Sequence, residues 1–269
     1  MIPEAFDYVR ASSIDEALAA MAHGARPLAG GHSLVPALKL RLASEDTLVD
    51  IARVPGLAGI AVEGSTLVIG ATTRHHDVAA SADVAAHARV LSAAAGGVGD
   101  QMVRNRGTIG GSLAQNDPHG DLPAVMLALG AELVVRSPEG TRTIPADEFF
   151  VDYYTTALEE GELLTHVRIP GGQAQGAYAK FNRRSQDWAI IGAAVSKTSA
   201  GWRVALTGAG PVARRAIGVE QALASGASVA DAAARAGDGT DPTEGLDGSA
   251  EYKRHLACVM VRRALESAV

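Results

Sequence analysis

The stretch "RNRGTIGGSLAQNDPHGDLPA", residues 104–124, decides how this chain is read. Gly107, Gly110, Gly111 and Gly120 are set among two arginines, two asparagines and two aspartates. A core helix or strand has no use for so dense a mixture of bare backbone, amide and carboxylate. The run that follows, "VMLALGAEL", has the apolar density of a buried helix. Within the stretch, "TIGGS" (Thr108, Ile109, Gly110, Gly111, Ser112) leads an apolar residue through a glycine pair to a hydroxyl. A second segment, "LAGGHS", repeats that order with Ala29, Gly30, Gly31, His32 and Ser33. Glycine lets the backbone turn sharply and lets a ligand approach N–H groups with no Cβ in the way. Successive amides beside a helix start make an anion-binding hollow. Ser33, Thr108 and Ser112 add hydroxyl donors. Either segment alone is equally a plain tight turn. Together they suit the two phosphates of one dinucleotide, and a β-branched side chain at Gly110 is expected to collide with phosphate or forbid the backbone angle, while leaving the chain largely folded.

Outward from these loops the chain changes texture twice. "SIDEALAAMAHG" reads as a helix capped by Ser13, with Glu16 three residues on and Gly24 as its stop. "ARPLAGG" reads as a short strand, "HSLVPALKLRLA" as a helix with Ser33 near its N-cap, and "TLVDIARV" as a strand. Residues 1–55 thus alternate helix and strand. "GIAVEGSTLVIGAT" and "AELVVRSPEGTRTIPADEFF" read as hairpins, with helix over "RHHDVAASADVAAHARVLSAAAGGVG" and "LPAVMLALG" between them. "GGQAQG", residues 171–176, reads as a linker. Strands follow through "VALTGAGPVARRA", then mostly helix over 216–269, with a loop at 236–248. The expected organisation is therefore α+β, in units of 1–55, 56–170 and 171–269, with no internal repeat.

The totals narrow the function. A chain of 269 residues with 47% hydrophobic content can bury two or three cores. Its net charge of −6 argues against nucleic acid as the main partner. No apolar run reaches membrane-spanning length, and "MIPEAFDYVR" lacks the pattern of a secretory signal. The expected location is the cytoplasm. Cys258 is the single cysteine, so neither an internal disulfide nor a cysteine-ligated iron–sulfur cluster can be built. Any redox centre must be an organic cofactor or belong to a partner.

"PLAGGHSLVPALKLRLA" and "RNRGTIGGSLAQNDPHGDLPAVMLALGA" resemble the two signature segments of the FAD-binding medium subunit of molybdenum hydroxylases. The carbon monoxide dehydrogenase medium subunit and the xanthine dehydrogenase flavin domain are of this family. The likeness extends through "ELLTHVRIP", "AYAKFNRRSQDWAIIGAAV" and "VALTGAGPVARRA". It implies a two-part FAD-binding domain of the vanillyl-alcohol-oxidase type, followed by a small α+β domain with an antiparallel sheet. It also implies residue roles. Residues 29–33 and 108–112 wrap the pyrophosphate from two sides. Asp121 accepts hydrogen bonds from the flavin's sugar portion, although its place at a helix start also suits N-capping. Leu164 meets the adenine end, and Lys180 lies near the flavin. Trp188 stands where relatives often carry tyrosine beside the isoalloxazine, which leaves its role open.

The resemblance further implies non-covalent FAD, a large molybdopterin subunit, a small subunit with two [2Fe-2S] clusters, and a dimer of such heterotrimers. Electrons would pass from the clusters through FAD to an external acceptor, and the flavin would sit near a surface that partners cover. The alternatives are a self-contained flavin oxidase or reductase of the same fold, and a degenerate subunit kept for assembly. Other motifs read as decoys. "VALTGAGPVA" mimics a dinucleotide turn, but Pro211 spoils the helix entry. His75, His76 and Asp77 read as a solvated helix start rather than metal ligands, and Asp117, His119 and Asp121 lack a nucleophile. Arg104 and Arg106 face phosphate or serve structure.

Overall fold

The computed structural model describes residues 2–172 and 175–268. Ser13 caps the helix Ile14–Ala22, its hydroxyl accepting the Glu16 N–H at 3.1 Å. The Glu16 carboxylate reaches back one residue further than the expected box, taking the Ser12 N–H and hydroxyl. This helix and Leu34–Leu40 connect a three-stranded parallel sheet in the order Asp7–Arg10, Thr47–Asp50, Arg26–Leu28. The first strand was not legible: all four of its residues are exposed, so no apolar alternation marks it. Ala17, Leu18, Val49, Ile51 and Leu57 form the core of this unit.

The next unit is a five-stranded antiparallel sheet in the order Ile60–Glu63, Thr66–Gly70, Leu163–Ile169, Glu132–Ser137, Gly140–Pro145. Both expected hairpins are its outer pairs. The return strand Leu163–Ile169 carries an irregularity between Leu164 and His166, where the Thr165 hydroxyl donates to Val134 O. The helical stretch after the first hairpin is three helices, His75–Ala80, Ala82–His87 and Arg89–Gly96. Ser81 divides the first two, its hydroxyl accepting the Val84 N–H. The helix Asp121–Leu129 is buried at all nine positions, the mark of a helix enclosed on every side.

The third sheet has four antiparallel strands in chain order, Gln175–Phe181, Ile191–Thr198, Gly201–Thr207 and Arg214–Arg215. Side chains alternate across it. Ala194 and Ala205 join the same core as helix Asp121–Leu129, while Ala193, Val195, Val204 and Leu206 join the core made with the helices Ile217–Ala224 and Ala250–Ser267. One sheet therefore closes two cores. After Gly201–Thr207 the chain turns into the short strand Arg214–Arg215, so no helix opens at "TGAG" and no dinucleotide turn forms there. Of the linker expected over 171–176, residues 173 and 174 lie outside the described residues, and strand begins at Gln175.

Candidate functional site

A cleft of about 840 Å³ runs between the small parallel sheet and the five-stranded sheet, and the loop after strand Gln175–Phe181 closes one end. Ala29, Gly30, Gly31, His32 and Ser33 line one side. Thr108, Gly110, Gly111 and Ser112 line it too, with Asp121, Leu164, Lys180 and Trp188 further along. Ile109 does not: its side chain is fully buried in the core of the five-stranded sheet.

The two glycine loops differ in what their backbones offer. Among the described residues, the N–H groups of Gly30, Gly31, His32 and Ser33 have no protein acceptor. Gly31 holds φ +75°, a left-handed turn that brings these amides round in succession. Four consecutive unpaired amides make an anion hollow. In the second loop the corresponding donors are spent on the protein. Ile109 N–H donates to Thr73 O at 2.9 Å, Gly110 N–H to Ala71 O at 2.8 Å and Ser112 N–H to Thr108 O at 3.0 Å. Gly111 N–H goes to the Thr108 hydroxyl oxygen at 3.2 Å, with Thr108 as the N-cap of helix Ile109–Gln115. Over residues 109–112 the second loop thus offers the Ser112 hydroxyl and bare Cα atoms rather than amides.

Why glycine is needed also differs. A Cβ on Gly30 would stand 2.2 Å from Arg106 O, because the two loops pack backbone on backbone. A Cβ on Gly110 would stand 2.5 Å from Ala71 Cβ and 2.7 Å from Ala71 O. The collision expected with phosphate is therefore a collision with the protein's own strand end. Gly110 lacks a positive φ, so no backbone angle forbids a side chain there; it is the clash with Ala71 that corrects the expectation that Gly110→Val leaves the fold intact.

At the far end, Asp121 is 5% exposed. Its carboxylate accepts from Tyr178 Oη at 2.5 Å and from Lys180 Nζ at 3.1 Å. Burial pushes the Asp121 carboxyl above the ordinary carboxylate value, against the opposing pull of Lys180 and Tyr178. Burial also raises the Tyr178 phenol well above its usual value. Asp121 does not cap its helix; Gly120 is the N-cap and makes no side-chain bond. Lys180 further donates to Gly97 O at 3.3 Å. Tyr178 was missed, although it lies two residues from Lys180 on one strand face, a spacing that could have found it. Trp188 is 57% exposed at the cleft mouth.

His75 is corrected too. It starts a helix as expected, but the ring is 4% exposed rather than solvated. The backbone N–H of His75 donates to Gly107 O, which holds this residue under the second loop. Burial lowers its pKa to about 4, with smaller contributions from the positive charges of His32 and Arg104. His76 and Asp77 are exposed, and no cluster of three metal-ligating side chains occurs among the described residues. His119 Nδ1 faces Ala189 O at 2.8 Å and its N–H donates to Asp117, a structural tie rather than a triad. Arg104 donates to Val98 O and Gly99 O, a structural role. Arg106 is exposed.

Two family profiles cover the chain. "FAD binding domain in molybdopterin dehydrogenase" matches residues 4–172, and "CO dehydrogenase flavoprotein C-terminal domain" matches 176–268. The carbon monoxide dehydrogenase medium chain of Hydrogenophaga pseudoflava is 43% identical, over 100% of this chain and 98% of its own length. Subunit alpha of the 6-hydroxypseudooxynicotine dehydrogenase complex of Paenarthrobacter nicotinovorans is 40% identical, over 100% and 96%. Among solved structures, a chain of the Hydrogenophaga pseudoflava carbon monoxide dehydrogenase that lacks the Mo-pyranopterin moiety superposes with a TM-score of 0.96. It is 44% identical and the match covers 100% of this chain and 98% of that one. No helix among the described residues is long and apolar enough to cross a membrane.

Proposed function

The chain belongs to the FAD-binding medium subunits of molybdenum hydroxylases, an oxidoreductase family, and from that premise we propose that it is the electron-transferring flavoprotein of a three-subunit dehydrogenase. In this reading a large partner oxidises the organic substrate at molybdopterin, and a small partner delivers the electrons through [2Fe-2S] clusters. FAD, bound without a covalent bond, supplies one- and two-electron chemistry and hands the electrons to an external acceptor. Two such heterotrimers pair in the cytoplasm. The relative named as subunit alpha of a dehydrogenase complex supports the multi-subunit arrangement.

The chain's own residues bind and orient. The amides of residues 30–33 hold the pyrophosphate, with the Thr108 and Ser112 hydroxyls and the Gly110 and Gly111 Cα surfaces opposite. Asp121 accepts from the sugar portion of the flavin side, and Lys180 beside it keeps that buried carboxylate compensated. Leu164 lines the adenine end, and Trp188 flanks the mouth where the flavin meets partner and acceptor. Units 1–55 and 56–170 make the cleft, and 171–269 closes it. The observation that carries the proposal is the run of four unpaired amides in the same cleft as the Asp121–Lys180 pair.

The test is purification of a tagged copy from its native host. The expected preparation is yellow, releases its flavin into the supernatant after acid precipitation, and brings two other chains with it. Colourless protein defeats the flavin assignment, and yellow in the acid pellet defeats non-covalent binding. A lone chain that oxidises an organic substrate restores the self-contained flavoenzyme.

A further inference from the structure

Buried polar atoms nearly always find a partner, so an unpaired one asks for an explanation. Among the described residues three buried side-chain atoms have none: Thr72 Oγ1, His75 Nδ1 and Asn116 Oδ1. Asn116 lies off the cleft, and its amide is already used, donating to Asp152 O and Thr155 O at 2.8 Å each. Thr72 and His75 are different. Both line the cleft, and they are 5% and 4% exposed. Both belong to segment 71–75, which the second glycine loop is laced onto: Gly110 donates to Ala71 O, Ile109 to Thr73 O, and His75 to Gly107 O. That loop packs against Gly30 of the first. Thr72 and His75 therefore stand where the two loops meet, in the same cleft as the unpaired amides.

We propose that Thr72 and His75 are a third element of the cofactor site, hydrogen-bonding the phosphates of the bound dinucleotide. The proposal rests on the FAD reading above. The hydroxyl of Thr72 can donate or accept, and a neutral imidazole presents one donor nitrogen and one acceptor nitrogen. Neither residue carries a full charge that would have to be buried before the ligand arrives. The glycine loops make the hollow, and these two side chains supply the hydrogen bonds that the spent amides of the second loop cannot.

The test uses the FAD-free full chain, titrated with FAD by quenching of flavin fluorescence. Its variants are T72V, T72S, H75L and H75Q. T72V removes only the hydroxyl, so FAD affinity is expected to fall about tenfold, the worth of one hydrogen bond. T72S keeps the hydroxyl and should bind within about threefold of wild type. H75L should lose about tenfold, with H75Q recovering part of it. Melting of the FAD-free protein separates this from a structural role: with no partner to lose, T72V should melt no lower than wild type. T72V and H75L that bind FAD as tightly as wild type overturn the proposal, as does a T72V whose weaker binding merely follows a lowered melting temperature. Should H75L fail to fold, the T72V and T72S pair decides alone. A wild-type chain that takes up no FAD sinks the flavoprotein reading and this inference with it, an outcome distinct from variants that bind normally.

Discussion

Acid should destabilise the FAD-free chain through His75. Burial, helped by positive charge at His32 and Arg104, takes this imidazole from 6.5 to about 4. Each unit of such a drop corresponds to about 1.36 kcal/mol, so the whole is worth about 3 kcal/mol. The unfolded chain takes up the proton near 6.5, while the folded chain resists until about 4. Stability from this site is therefore complete above the unfolded value and is lost as pH falls through that window. Against the roughly 5–15 kcal/mol of a typical domain, that is a large share. Replacing the ring with a side chain that cannot titrate, His75→Gln, should remove the dependence. Urea midpoints of both proteins, taken in steps from pH 7.5 to 4.5, give the comparison. The wild-type curve should lose about 2–3 kcal/mol more than the variant across that range. Parallel curves would refute the claim that His75 is held neutral by burial.

Three other outcomes follow from the cleft. Lys180→Met leaves the buried Asp121 carboxylate without its cation. It should cost about 3–5 kcal/mol near neutral pH, and less as pH falls and the carboxyl, already raised by burial, takes up a proton; denaturation at pH 7.5 and 5 checks both. Gly31→Ala puts a Cβ at φ +75°, 3.2 Å from Val35. It should lower stability by about 1–2 kcal/mol and weaken FAD uptake, read by thermal melting and flavin titration. Gly110→Val should not yield native protein, since the added side chain meets Ala71 backbone; soluble yield and circular dichroism report it, and a native spectrum contradicts the packing argument.

What was legible in the sequence was what is local. The Ser13 cap and both hairpins depend on residues within a few positions, and they stand as expected, whereas the single helical stretch expected after the first hairpin is divided into three. The paired glycine loops were legible because their residue order repeats, and both line one cleft. Their division of labour was not, since the acceptors that occupy the second loop, Ala71 O and Thr73 O, lie far away along the chain. The burial of His75 was hidden for the same reason: "RHHD" is polar as text, and only the bond to Gly107 O turns one histidine inward. Asp121 looked fit to cap a helix, but Tyr178 and Lys180, from a strand nearly sixty residues on, claim its carboxylate instead.

The sheet that closes two cores bears on how such chains can be recombined. The two family profiles meet between 172 and 176, and a gene fusion or exchange would naturally be cut there. The packing has no break at that point. Helix Asp121–Leu129 lies on the N-terminal side of the cut, and the strand residues that cover it, Ala194 and Ala205, lie on the other. A chain ended at the cut would bare an apolar helix that was never meant to meet water, inviting aggregation. The C-terminal sheet transplanted onto another flavin domain would meet a helix whose small and large residues do not match its own. The portable unit in evolution or engineering is then the whole chain, and the boundary visible in the family profiles divides text rather than structure.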